Sequence, residues 1–403
     1  MKVAITILVF CVAALLALGM VMLYSASMAD VTRHNAVVAQ VGTRYLMMQL
    51  VWCALGLAAC VVATLVDYRW LKRIWWLPLG VSLLLLALVL ERPEINGARR
   101  WFSFHGMHFQ PSEFAKIALI IALAWYGEHY QRQMPLLKRG ILIPSLLIGV
   151  TMVLILIEPD VGNGLLLGAV SGSLLLIAGI RLKYSLPPVL IVALAAGAYI
   201  YHSQIKLEAL HQQGQRGSMR AERIYSWLHL EETRRGKGLQ AYEAMVALGS
   251  GGLTGKGLGD GRQKLGFVPE HHTDFIFSII GEELGLIATL LVIAAFVAIV
   301  FSGLYIAMQA CDTFGFLLGA GITLLIGLQA FIKIGVVTNT LPNKGLPLPF
   351  ISYGGSNLLM MLVSVGLLLS IARQARELSA DSWQMSVGAD AANPFARRTQ
   401  PQA

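Results

Sequence analysis

Residues 274–307 read DFIFSIIGEELGLIATLLVIAAFVAIVFSGLYIA. After Asp274, the charged residues in this stretch are the adjacent pair Glu282-Glu283. The run exceeds the roughly 20 helical residues that a bilayer core requires. On a helix, Asp274, Ser278, Gly281, Glu282, Gly285 and Thr289 form one small-and-polar stripe against Leu, Ile, Val, Ala and Phe. A helix apolar over most of its circumference belongs in lipid, and its carboxylates face a partner or a cavity.

Similar apolar runs lie near 3–24, 46–66, 74–90, 114–126, 141–157, 163–180, 186–201, 315–337 and 356–372. With the 275–307 run they predict an all-α integral membrane protein of about ten transmembrane helices. The membrane domain is expected over 1–376, with a large extracytoplasmic loop, 202–274, between helices 7 and 8. That loop keeps Ile224, Tyr225, Trp227 and Leu228 in an amphipathic pattern, so it reads as folded. Residues 377–403 lose all periodicity and predict a disordered cytoplasmic tail.

Composition agrees. The chain has 403 residues, 56% hydrophobic and 13% charged, about half the charged fraction of a soluble domain. Its mean hydropathy of +0.67 excludes an ordinary cytosolic enzyme, a disordered chain and a secreted disulfide scaffold. The run from Val3 to Leu23 is too long for a signal-peptide core of about 7–15 residues and reads as the first span. Cys11, Cys53, Cys60 and Cys311 lack metal spacing and read as small hydrophobes. The net charge of +9 is spread over short loops, which argues against nucleic acid as a partner.

Basic loop residues set the orientation. Arg69, Lys72 and Arg73, then Arg132, Lys138 and Arg139, then Arg181 and Lys183, and finally Arg373 and Arg376 fall on one side. An even number of spans then places both termini in the cytoplasm and 202–274 outside. Arg99-Arg100 breaks the bias in a short outer loop and asks for a reason, such as an external anion.

On this topology the ionisable groups of several helices share the outer half of the bilayer. Glu113 and Lys116 stand at i, i+3 in the first turns after Pro111. Glu158-Pro159-Asp160 ends the fifth helix, and Gln329 and Lys333 stand at i, i+4 on the ninth. Taken singly, each is as well explained by a buried pair. Their convergence points to a water-accessible cavity opening outward, which suits a transporter or an enzyme of the outer leaflet.

Three decoys fall away. The glycine-rich run 249–259 lacks the spacing of a phosphate loop and lies outside the cell, so no nucleotide is expected; its glycines suit tight turns and close backbone approach. His271-His272-Thr273-Asp274 lacks a zincin's i, i+4 pair of His. Gly249-Ser250-Gly251-Gly252 has no His in a span to support a serine protease.

Several motifs together carry a resemblance. They are Asn96-Gly97-Ala98-Arg99-Arg100-Trp101, Phe109-Gln110-Pro111-Ser112-Glu113-Phe114-Ala115-Lys116, Pro159-Asp160-Val161-Gly162 and Gly255-Lys256-Gly257-Leu258-Gly259. With them stand Pro269-Glu270-His271-His272-Thr273-Asp274-Phe275-Ile276-Phe277, Glu282-Glu283-Leu284-Gly285 and Leu348-Pro349-Phe350-Ile351-Ser352-Tyr353-Gly354-Gly355-Ser356. Over about 20–372 the chain resembles the SEDS family of peptidoglycan glycosyltransferases. Pro269-Glu270 and Lys344 look more like its cell-division members than its elongation members. Asn163, His272, Asn357 and Thr338-Asn339-Thr340 depart from the usual pattern.

The resemblance implies an inverting polymerase of lipid II, with Asp274 as catalytic base. Arg99, Arg100, Lys116, Arg220 and Arg223 are the candidate cations for the leaving pyrophosphate. Glu113, Asp160, Lys256, Lys333, Lys344, Ser352 and Ser356 complete the expected substrate region. It also leaves room for a divalent cation, Mg or Mn, on Asp274 or Asp160. The implied partners are a class B penicillin-binding protein and other division-complex membrane proteins. The rivals are a lipid II flippase or transporter, a polymerase of cell elongation from the same family, and a structural scaffold. The nearly pure Leu, Ile, Val and Ala of the cytoplasmic halves of helices four, five and nine favours chemistry at one face.

Overall fold

The computed structural model describes the chain apart from residues 34–35, 95–97, 105–106, 185, most of 188–200, 203–218, 235, 237, 264–273 and 393–403. Two membrane helices, α1 (Lys2–Arg33) and α2 (Ala36–Leu65), lead through the short α3 (Arg69–Arg73) into α4 (Trp76–Val89). A hairpin follows, β1 (Phe102–Phe104) and β2 (Met107–Phe109), antiparallel with Phe102 opposite Phe109. Next come α5 (Pro111–His129), α6 (Ile143–Ile157) and α7 (Val161–Ile177). The long loop holds α8 (Met219–Leu228), α9 (Leu230–Thr233) and α10 (Leu239–Ser250), and α11 (Ile276–Met308), α12 (Thr313–Val337) and α13 (Gly355–Ala392) complete the chain.

Among the described residues six helical stretches are long and apolar enough to cross a membrane, α6 being counted with the helical turn from Lys138 that leads into it, and Trp76–Val89 and Val161–Ile177 are shorter apolar helices. Pro111–His129 coincides with the fourth predicted span and carries Glu113, Lys116 and Glu128. The seventh predicted run, 186–201, lies mostly outside the described residues. Two features differ from the expectation. The β hairpin adds strand to an otherwise helical chain, its Phe-Ser-Phe and Met-His-Phe segments alternating apolar and polar residues. Helix α13 also runs on to Ala392, past the loss of apolar periodicity near 377, because helical backbone propagates without an apolar stripe once a long helix is nucleated.

The layering is that of a protein dissolved in lipid. Helices α5 and α12 sit at the centre: Ala115 to Ala124 of α5 are buried without a break, and α12 packs on α5, α7, α11 and α13. Helices α1, α2, α6 and α11 turn large apolar side chains outward, including Phe10, Val61, Leu146 and Phe301. In water so much exposed apolar surface would drive association; in a bilayer it is the solvated surface. The chain is a multi-pass membrane protein.

One helix is broken. Gly285 inside α11 has φ 79° and ψ −174°, a conformation open essentially to glycine alone. The break separates a short piece, 276–284, from the long remainder.

Candidate functional site

Three polar clusters lie at the end of the bundle that carries Asp274. The first begins with Pro111, which occupies the first turn of α5 and sends Glu113 and Lys116 inward one above the other. Lys116 Nζ meets Glu113 Oε2 at 2.8 Å, both side chains 1% exposed. The same ammonium donates to Gln329 Oε1 at 3.0 Å and Asn163 Oδ1 at 3.2 Å. Glu113 accepts in turn from Asn357 Nδ2 at 2.7 Å and Asn163 Nδ2 at 3.5 Å. Four helices, α5, α7, α12 and α13, thus meet on one ion pair.

Asp160 adjoins this cluster. It caps α7, Oδ1 accepting from Asn163 N at 3.2 Å, while Oδ2 accepts from Gln110 Nε2 at 2.8 Å and Asn163 Nδ2 at 2.9 Å. Lys344, in the loop after α12, faces Asp160 and Arg223. Burial pushes its amine below the usual lysine range; the Asp160 carboxylate pulls back, and Arg223 adds to the depression.

The second cluster is Asp274 with Lys333. Asp274 stands just before α11, and its Oδ1 meets Lys333 Nζ at 3.1 Å; Asp274 is 29% exposed and Lys333 1%. Lys333 lies one turn along α12 from Gln329, so the two clusters share that helix face. The Lys333 ammonium also sits 5.5 Å from the centre of the Phe275 ring. A Cβ at Gly345 would lie 3.2 Å from Asp274 Oδ2. The glycine therefore leaves that oxygen room.

The third cluster surrounds Glu282 and Glu283. Lys256 Nζ meets Glu282 Oε1 at 2.8 Å and Ser250 Oγ at 2.8 Å. The amides of Arg262 and Gln263 also donate to the Glu282 carboxylate. Glu283 accepts from Ser25 Oγ of α1 and from Gly259 N. Two of the glycines of 249–259 serve close backbone approach: a Cβ on Gly251 or Gly255 would collide with the main chain of α11.

The other candidates are placed apart. Arg99 is exposed, near Glu94 and the Leu90 carbonyl. Arg100 donates to the carbonyls of Glu158 at 2.9 Å and Pro159 at 2.6 Å, so its local partner is the carbonyl end of α6. Ser352 Oγ accepts from Leu348 N, fixing the turn that enters α13, and Ser356 is buried in that helix's first turn. Arg223 is exposed on α8. The Arg220 side chain, His271 and His272 lie outside the described residues.

Among the described residues no group of three or more His, Cys, Asp or Glu could hold a metal ion. Asp160 spends both oxygens on amide donors, and Asp274 spends one on Lys333. A cation at Asp160 would have to displace these donors, whereas Asp274 keeps Oδ2.

The reading of the sequence missed Gln110 as a partner of Asp160, and Ser25, one of the few polar residues at the end of the first apolar run. Asn163 and Asn357 stood out only as departures from the family pattern, yet both embrace the Glu113–Lys116 pair. Polar amides set among glycines and leucines were the available signal.

Comparison with known proteins agrees with this architecture. A family model described as "Cell cycle protein", covering FtsW, RodA and SpoVE, matches residues 6–377. The chain is 38% identical over 370 residues to the "Probable peptidoglycan glycosyltransferase FtsW" of Geobacter metallireducens, covering 90% of this chain and 93% of that one. It is 39% identical over 371 residues to the protein of the same name from Trichlorobacter lovleyi, covering 91% and 92%. A solved structure described as "Structural coordination of polymerization and crosslinking by a peptidoglycan synthase complex" superposes with a TM-score of 0.69 at 29% identity, over 91% of this chain and 97% of that one. With its membrane bundle, its broken helix and its paired charges at one end, the chain belongs to the FtsW/RodA/SpoVE family of cell cycle proteins.

Proposed function

We propose that this chain is an inverting glycosyltransferase that polymerises lipid II into glycan strands for septal wall synthesis. The Asp274 end then faces out from the cytoplasmic membrane, with both termini in the cytoplasm. The observation that carries the reading is Asp274 itself: a partly exposed carboxylate at the end of the bundle, one oxygen tied to a buried ammonium and the other facing a glycine.

That geometry suits a general base. The acceptor hydroxyl passes its proton to Asp274 as its oxygen forms a bond to the donor's anomeric carbon. The bond from that carbon to the polyprenyl pyrophosphate breaks, and the electron pair leaves with the phosphate. Lys333 fixes the carboxylate's orientation. The pyrophosphate needs cations and not an acid, and Lys344, whose charge interacts with those of Asp160 and Arg223, is the candidate together with Arg223. Lys116 is fully engaged by protein acceptors and holds the wall of the site. Because the relatives carry the FtsW name and the superposed structure is of a complex that couples polymerisation to crosslinking, the partner proposed is a class B penicillin-binding protein.

The test is glycan synthesis by the purified chain with that partner and lipid II. Asp274→Asn should abolish polymer while eluting as folded protein. Polymer at the wild-type rate from this variant would reject the assignment. Lipid II crossing a vesicle membrane in a protein-dependent way, without polymer, would favour the flippase instead.

A further inference from the structure

The break at Gly285 is filled by another part of the chain. In an unbroken helix Leu286 N would donate to Glu282 O and Ile287 N to Glu283 O. Here Leu286 N donates to Gly252 O at 3.0 Å and Ile287 N to Leu253 O at 3.2 Å. The two freed carbonyls accept from the same strap: Glu282 O from Lys256 N and Glu283 O from Gly257 N, each at 3.0 Å. Residues 252–257 are thus spliced into the hydrogen-bond ladder of α11, which pairs these two amides and two carbonyls in a region where an unpaired backbone group is costly.

The side chains repeat the connection. Glu282, 0% exposed, binds Lys256 Nζ and the amides of Arg262 and Gln263. Glu283 ties Gly259 N to Ser25 of α1. The short piece 276–284, with Asp274 just before it, is therefore held less by continuity with the rest of α11 than by this strap.

We propose that the Lys256–Glu282 pair is a positioning device for Asp274: it locks the strap into the broken helix and so fixes the segment that presents the base. Lys256 then acts on the reaction without touching substrate. This rests on Asp274 being the base, and displacement of such a group by about 1 Å costs on the order of a hundredfold in rate.

The experiment uses the full chain with its penicillin-binding partner and lipid II, comparing Lys256→Met, Lys256→Arg and Glu282→Gln with wild type and with Asp274→Asn. Lys256→Met should lower kcat about ten- to a hundredfold with KM for lipid II within about twofold. Lys256→Arg, which keeps the ion pair, should restore most of the rate. A rise in KM with kcat kept would make Lys256 a substrate contact and overturn the proposal. Equal loss in the Met and Arg variants, or wild-type kinetics in Lys256→Met, would also overturn it. If Glu282→Gln fails to fold, the Lys256 variants decide alone, since that side chain is 33% exposed. An active Asp274→Asn would refute the base assignment, whereas an inactive one beside an unaffected Lys256→Met refutes only the positioning role.

Discussion

Lys116→Met tests whether the Glu113–Lys116 pair is the knot of the bundle. The ammonium has three N–H donors, and the structure gives it three acceptors: Glu113 Oε2, Gln329 Oε1 and Asn163 Oδ1. Removing it leaves the Glu113 carboxylate with two amide donors, Asn357 and Asn163, and strips a donor from two buried carbonyl oxygens. Breaking a buried pair from one side costs about 3–5 kcal/mol. With an unfolding entropy scaled to a chain of this length, that lowers the unfolding midpoint by about 4–6 °C. Glu113→Gln should cost a similar amount from the other side. The double variant removes both charges together, and its cost should fall short of the sum by about 3 kcal/mol. Thermal unfolding in detergent, followed by the fluorescence of the eight tryptophans, gives all three values. Strict additivity would show that the two residues do not act as a pair, and the structural reasoning would fail.

Gly285→Ala should lower stability by about 3 kcal/mol or more, because alanine is strained at that φ and ψ and its Cβ would strike the strap at Gly255 and Leu253; an unchanged unfolding midpoint would contradict the splice. Arg100→Gln should cost about 2 kcal/mol by releasing the carbonyls of Glu158 and Pro159, with KM for lipid II unchanged; a large rise in KM would return Arg100 to the substrate. Glu158, buried one residue beyond α6, has its pKa raised from 4.5 to about 8, chiefly by burial and then by Asp160, with Arg100 opposing. The folded chain therefore holds a proton that the unfolded chain releases, and stability falls as pH rises from about 4.5 to about 8. Glu158→Gln should flatten that slope, as read from unfolding midpoints across the range, and an unaltered slope would assign it to other groups.

Much of this architecture is legible in the sequence because lipid imposes a simple rule on it. Runs such as 275–307 and 315–337 have one structural solution in a bilayer, since a helix alone pairs its backbone within a single segment. The same rule makes Glu113, Lys116, Glu282 and Lys333 conspicuous, as each needs a reason to be inside. Periodicity also placed Gln329 and Lys333 on one face, and the structure uses that face twice, for Lys116 and for Asp274.

What periodicity cannot convey is which distant group each charge meets. Asp274 and Lys333 pair across 59 positions of chain with no local signal, and Lys256 finds Glu282 only because a helix is broken to admit a loop. The glycines at 251, 255, 281 and 285 contain that information, since two backbones cannot approach so closely where a Cβ stands between them. Read singly, each glycine is consistent with any turn. Read as two sets that must face one another, they specify the splice. A substitution that adds a Cβ to either set should therefore disturb the base at Asp274 before it disturbs the buried pair at Glu113, because the strap is joined to the broken helix whereas that pair is held by four other helices.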